Sequence, residues 1–145
     1  MDFSKAMRVS SSGLAAQRMR MNSISSNIAN INTTRSPEGG PYRRKDVVFE
    51  AIPDSKNFGD VLTTVPDQSI QRVQVTDVEV DRGAPLLKYE PDHPDANADG
   101  YVAYPNINLM EEMANMIQAT RAYEANISSM QATKDMALSA LELGQ

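Results

Sequence analysis

The stretch "MRVSSSGLAAQRMRMNSISSNIANI", residues 7–31, decides how the chain is built. Met7, Leu14, Met21 and Ile28 recur every seven residues. Ile24 and Ile31 fill the companion positions, with Phe3 in the same phase and Ser10 and Gln17 as polar interruptions. A seam repeating every 3.5 residues marks a helix that packs along other helices. The helix is expected to stop in "NINTTRSPEGGP", where polar and β-branched residues give way to Pro37, Gly39, Gly40 and Pro41.

The C-terminal segment repeats the pattern. Leu109, Met116, Tyr123, Met130 and Ala137 form one row, and Met113, Thr120, Ile127, Lys134 and Leu141 the other. Pro105-Asn106 is a start signal, Glu111 and Glu112 complement the helix dipole in the first turns, and Gly144 offers a stop. Each helix is expected to run roughly 30 to 36 residues, or about 45–55 Å. Ala15, Ala16 and Met19 on the first helix, and Ala114, Ile117, Ala119 and Ala122 on the second, lie outside the rows. A helix apolar over more than one stripe has more than one packing partner.

Between the helices the pattern turns to β. "KDVVFEAI" (45–52), "DVLTTV" (60–65) and "IQRVQVTDVEVDR" (70–82) are rich in β-branched residues between turn signals. In the third run Val73 and Val75 share one face while Val78 and Val80 fall in the opposite phase. That predicts a bulge near Thr76-Asp77 or burial on both sides. The expected class is therefore α+β: two long terminal helices packed as an antiparallel coiled-coil pair, with a small β-rich central insertion. The segments are an N-terminal helix in 1–34, an insertion in 35–105 and a C-terminal helix in 106–145.

Bulk composition limits the alternatives. The 145 residues are 41% hydrophobic, 23% charged and only 6% aromatic, with no Trp and nine Met. Few aromatics argue against a large core, and methionine fills irregular seams and adapts to different partners. The absence of cysteine excludes disulfides and thiolate chemistry. No run has the length of a signal-peptide core or a membrane span, so if the chain leaves the cytoplasm it is expected to do so without an ordinary cleaved signal. Lys5, Arg8, Arg18, Arg20, Arg35, Arg43, Arg44 and Lys45 face only Asp2 and Glu38 in the first 45 residues, although the whole chain carries a net charge of −5. The basic end therefore suits an acidic surface on its own chain or a neighbour's. Overall negative charge, without stacking aromatics in the basic end, does not point to nucleic acid.

Catalytic motifs are missing. The sole histidine, His93, lies between two prolines in "PDHPDA", and no GxSxG, P-loop, GxGxxG, HExxH or CxxC is present. The one metal-like pattern is Asp95-Ala-Asn97-Ala-Asp99-Gly100, which has the opening spacing of an EF-hand loop. Position 12 of that loop is Asn106 instead of a bidentate Glu, position 9 is Ala103, and Pro91 and Pro94 preclude an entering helix. Asp and Asn also build Asx-turns and Gly100 permits positive φ, so a tight elbow into the last helix is the competing reading.

These segments together resemble the flagellar basal-body rod proteins. The N-terminal match is "SGLAAQRMRMNSISSNIANINTT" with its Ala29-Asn30-Ile31-Asn32-Thr33 element, a pattern of rod and hook proteins generally. The more specific match is to a proximal rod protein. It lies in "HPDANADGYVAYPNINLMEEMANMIQATRAYEANISSMQATKDMALSALELG", through Asp99, Gly100, Tyr101, Arg121, Glu124 and Asn126. The two blocks cover about half of the chain; residues 35–92 match by position and length alone. The resemblance implies a non-enzymatic subunit that polymerises helically into the periplasmic drive shaft, transmitting torque from motor to hook. It also implies secretion by the flagellar type III apparatus, with no cofactor and no small-molecule substrate. Implied partners are other axial proteins: proximal and distal rod subunits, the rod-to-MS-ring junction protein and the MS ring. Its subunit packing would use Met7, Leu14, Met21, Ile24, Ile28, Ile31, Leu109, Met113, Met116, Tyr123, Ile127 and Met130. Asn30 and Asn32 would either end the first helix or bond a neighbour's backbone, and Arg121 would either pair with Glu124 or bridge subunits. Two other functions stay open from sequence: a self-contained coiled-coil adaptor, and a calcium-dependent binding module using the Asp95–Asp99 loop.

Overall fold

The computed structural model describes residues 3–53 and 71–143. Helix α1 spans Phe3–Ala29 and strand β1 spans Lys45–Pro53. Strands β2, β3 and β4 span Gln71–Val80, Leu86–Tyr89 and Tyr101–Tyr104, and helix α2 spans Leu109–Glu142. At 27 and 34 residues the helices are about 40 and 51 Å long at 1.5 Å per residue. The strands form two two-stranded sheets, β1–β2 and β3–β4. This is an α+β chain. β1 matches the expected first strand to within a residue, whereas the expected strand at 60–65 and the Gly144 stop lie outside the described residues. No helix among the described residues is long and apolar enough to cross a membrane.

Helix ends are set by asparagine. α1 stops at Ala29 because the Asn30 amide turns back to donate to the Ser26 carbonyl at 2.8 Å, and the Thr33 hydroxyl donates to Asn30 Oδ1 at 3.1 Å. The Ser26 carbonyl also accepts the Asn30 backbone N–H at 3.1 Å, so the two side-chain bonds fold Asn30 back over the last turn. The Asn30 side chain is thus engaged within its own chain at the end of α1. At α2 the cap is Asn108, whose Oδ1 accepts from the Met110 N–H at 3.1 Å, two residues beyond the Pro105-Asn106 start expected from sequence.

The described residues fall into two units. The first comprises residues 3–19, 48–53, 71–77 and 119–143. Within it, α1 and α2 approach closely at Gly13: a Cβ built there would lie 3.0–3.2 Å from the side-chain amide of Asn126. Ser12 Oγ donates to the Val9 carbonyl at 2.7 Å and accepts from the Val73 N–H at 3.2 Å, fastening β2 to α1. Ala16 and Ala119 are buried, as are Ser10 and Thr133, whose hydroxyl donates to Ser129 O. Ala16 faces a recess lined also by Met19, Ile52, Val73 and Val75.

The second unit comprises residues 20–47 and 78–118. Its buried apolar residues are Ile24, Val47, Val102 and Ile107. β3 and β4 pair antiparallel, with Leu86 opposite Tyr104 and Tyr89 opposite Tyr101. The loop between them closes on itself: Asn97 Oδ1 accepts from the N–H groups of Asp99 at 3.0 Å and Tyr101 at 2.8 Å, and Gly100 sits at φ +80°. This hairpin was not anticipated, although the Asx-turn within it was. In β2, Val78 and Val80 are exposed, so this end of the strand is not buried on both faces.

Two glycines give testable consequences. Gly100→Ala adds a methyl group in the left-handed region, 2.9 Å from Tyr89 Cε2. It is expected to cost about 1–3 kcal/mol and to raise amide exchange across β3–β4. Gly13→Ala should gain about 0.5–1 kcal/mol of helix propensity only when Asn126 is also changed to Ala. Urea melts of the four variants in this cycle check it; equal gains with and without Asn126 would refute the close approach.

Candidate functional site

The second unit is organised around a buried side chain in the middle of "SSNIAN". Asn27 is 1% exposed and uses every hydrogen-bonding valence it has. Its Nδ2 donates to the Lys45 carbonyl at 2.9 Å and to Glu112 Oε2 at 3.1 Å. Its Oδ1 accepts from the Lys45 N–H at 2.9 Å and the Tyr42 hydroxyl at 3.1 Å. Because Lys45 offers both backbone groups, the amide is held in one orientation, oxygen to N–H and nitrogen to C=O. It acts on the first residue of β1 as a neighbouring strand would. Ser23 Oγ also donates to the Lys45 carbonyl, at 2.8 Å.

Glu112 completes the tie. It too is 1% exposed, and Oε1 accepts from Arg44 Nε at 2.7 Å while Oε2 accepts from Asn27. It stands in the early turns of α2, where the helix dipole favours a carboxylate. Arg44 also pairs with exposed Asp46 at 3.3 Å, and its carbonyl accepts from the Asp81 N–H at 2.8 Å. Burial draws the Arg44 pKa down, but the hydrogen bond and charge of Glu112, with Asp46, outweigh it and leave the guanidinium above its ordinary value. A buried charge is tolerable only when paired and hydrogen-bonded, and here both oxygens of the carboxylate are engaged. Arg44, in the basic N-terminal end, thus meets acidic partners within its own chain. Sequence reading assigned Glu112 to the helix dipole alone and passed over Asn27. The available signal was an amide inside a helical stretch of heptad spacing.

The buried stripe of α2 also differs from the expected one. Glu112, Ala119 and Thr133 are buried and Asn126 half-buried, a row spaced by seven residues. Beside it run half-buried Met116, Tyr123, Met130 and Ala137, one of the two expected rows. In the other expected row Thr120 and Ile127 are half-buried, while Met113, Lys134 and Leu141 are exposed. Leu109 is exposed as well. On α1, Ile24 is buried and Met7, Leu14, Met21 and Ile28 are half-buried, as is Ile31 just beyond it. Leu14 and Tyr123 both line an open groove in the first unit.

The consequence is an outward apolar face. Met110 is 74% exposed, Met113 48% and Ile117 54%, at the i, i+3, i+7 spacing of one helix side. In the first unit Met136, Leu138 and Leu141 are exposed on the last turns of α2, as is Leu143 just beyond it. Exposed apolar patches of this kind mark interaction surfaces.

The remaining motif residues are accounted for individually. Ala29 and Asn32 are exposed and Thr33 half-buried. Asp99 and Tyr101 are exposed, with Tyr101 edge-on to Tyr89 at 5.3 Å. Arg121 and Glu124 are both exposed, and among the described residues no ion pair joins them. Asn126 Nδ2 donates to the Ala122 carbonyl. Two of the side chains expected to open a calcium loop accept hydrogen bonds from within the chain. Asp95 Oδ2 accepts from Thr34 at 2.8 Å, and Asn97 Oδ1 takes two backbone N–H groups. Tyr104 donates to Glu90 at 2.9 Å, and that bond, with burial and the Glu90 charge, holds the phenol above its usual pKa.

The tie predicts a specific mutational pattern. Asn27→Ala strands the Lys45 N–H and removes a donor from Glu112, at a cost of about 2–4 kcal/mol. Asn27→Asp keeps the shape but supplies no donor and sets two carboxylates together, so at pH 7 it should be at least as damaging. Adding Glu112→Gln to Asn27→Asp should recover part of the loss. Urea titration measures all three. A benign Asn27→Asp would contradict the geometry.

The chain matches two family models. Residues 7–35 match "Flagella basal body rod protein" and residues 98–143 match "Flagellar basal body rod FlgEFG protein C-terminal". It is 44% identical to the flagellar basal-body rod protein FlgC of Borreliella burgdorferi, over 97% of this chain and 96% of that one. It is 42% identical to FlgC of Bacillus subtilis, over 97% of both chains. To FlgC of Salmonella typhimurium the identity is 39%, over 94% of both. The matches extend through the β centre as well as both helices, and on them the chain belongs to the family of flagellar basal-body rod proteins FlgC.

Proposed function

We propose that the chain polymerises helically through its terminal helices into the proximal part of the rod, the drive shaft that transmits torque from motor to hook. As a member of its family it is a structural, non-enzymatic subunit of the flagellar basal body. The finer reading rests chiefly on one observation, the outward apolar stripe Met110, Met113 and Ile117 on a helix whose inward stripe is polar and small. A helix arranged this way is only half-satisfied by its own chain, and neighbouring subunits supply the other half. In the assembled rod α1 and α2 pack as an antiparallel coiled-coil pair in the inner core, and residues 35–105 lie outside it. The packing residues are the seam positions from Met7 to Ile31 and from Leu109 to Met130, with Arg121 and Glu124 directed to neighbours. The partners are proximal and distal rod subunits, the rod-to-MS-ring junction protein and the MS ring, reached after type III export. A shaft under torque is served by contacts in several directions, which wide apolar surfaces on long helices provide.

The test is substitution of Met110, Met113 and Ile117 together by Ser. Stability of the isolated chain should change by less than about 1 kcal/mol, since the positions are exposed. Recovery of the chain in purified basal bodies, and swimming, should be lost. Normal incorporation and motility would contradict the proposal.

A further inference from the structure

The first unit holds an open groove of about 250 Å³ lined by Ser11, Leu14, Ala15, Arg18 and Tyr123. Ser11 and Ala15 are small and lie one turn apart on α1, so a side chain from outside can enter between them. Leu14 and Tyr123 give the groove an apolar lining, and Arg18 is exposed beside it. α1 carries Lys5, Arg8, Arg18 and Arg20 and no acidic residue over its whole length. The complementary surface is in the second unit, where the Met110–Met113–Ile117 stripe is bordered by exposed Glu111.

We propose that a second copy of this chain seats its Met110–Met113–Ile117 stripe in the Ser11–Leu14–Ala15–Tyr123 groove, with its Glu111 paired to Arg18. The inference rests on the rod-subunit reading and adds the faces that meet. Two observations select the occupant. One is charge: a wholly basic helix meets a carboxylate that flanks an apolar stripe. The other is chemistry: methionine side chains are flexible enough to fill an irregular groove with an aromatic wall. The two patches are different surfaces of the chain, so the contact is head-to-tail and propagates, whereas a two-fold contact would close on a pair.

The chain has no cysteine, so engineered thiols report cleanly. Ser11→Cys and Met113→Cys variants, each at an exposed position, are co-expressed in cells lacking the native chain, and purified basal bodies are oxidised. A disulfide-linked dimer of the two variants is expected, and neither variant alone should give it. Arg18→Glu in the Ser11→Cys partner should lower the dimer yield roughly tenfold, and Glu111→Arg in the Met113→Cys partner should restore it. If the chain is present in the basal bodies but forms no such dimer, or is linked only to a different rod protein, the inference falls while the rod-subunit reading stands. If the chain is absent from basal bodies, the rod-subunit reading falls, and the inference with it.

Discussion

A single buried amide sets the constraint on which the second unit depends. Asn27 contributes two donors and two acceptors, and all are used: on the backbone of Lys45, on Tyr42 and on Glu112. A net hydrogen bond contributes only about 1 kcal/mol, but a buried polar group left unpaired costs about 1–3 kcal/mol. The network is therefore close to all-or-none. If β1 moves by one residue, Asn27 and Glu112 are both stranded. If α2 turns about its axis, Glu112 loses Arg44 and Asn27 together. This is why α1 ends two residues after Asn27, β1 begins at Lys45, and α2 begins three residues before Glu112.

That arrangement has a cost that explains the surface. Burying Glu112, Ala119 and Thr133 along α2, with Asn126 half-buried between them, commits its inward side to polar and small groups. Small groups allow close helix approach, as at Gly13, and polar groups fix register, but neither buries much apolar area. Met110, Met113, Ile117, Leu141 and Leu143 are left outside. In a protein that works alone this distribution would invite aggregation. In the proposed assembly, register is set internally by hydrogen bonds and apolar area is left for neighbouring subunits.

Much of this was legible in the residues. The heptad spacing of Met7, Leu14, Met21 and Ile28 announced α1, the β-branched run in "KDVVFEAI" announced β1, and Asn97 and Gly100 announced the turn. What stayed hidden has a common cause. Periodicity arguments weight apolar residues, so the row containing Glu112, Asn126 and Thr133 was invisible although its spacing is equally regular. Asn27 was passed over because its partner, the Lys45 backbone, is eighteen residues away and follows from tertiary structure alone. Strands β3 and β4 are four residues each, flanked by Pro85, Pro91 and Pro105, and such short runs carry little periodic signal.

Amide hydrogen exchange at Lys45 tests the central claim most directly. The residue is exposed, yet its N–H is directed to the buried Asn27 oxygen at 2.9 Å. If the tie governs this unit, the Lys45 amide exchanges only when the unit opens, with protection comparable to the amides of α2 around Ile117. Exchange at the rate of an unprotected loop amide, with α2 still protected, would contradict the account.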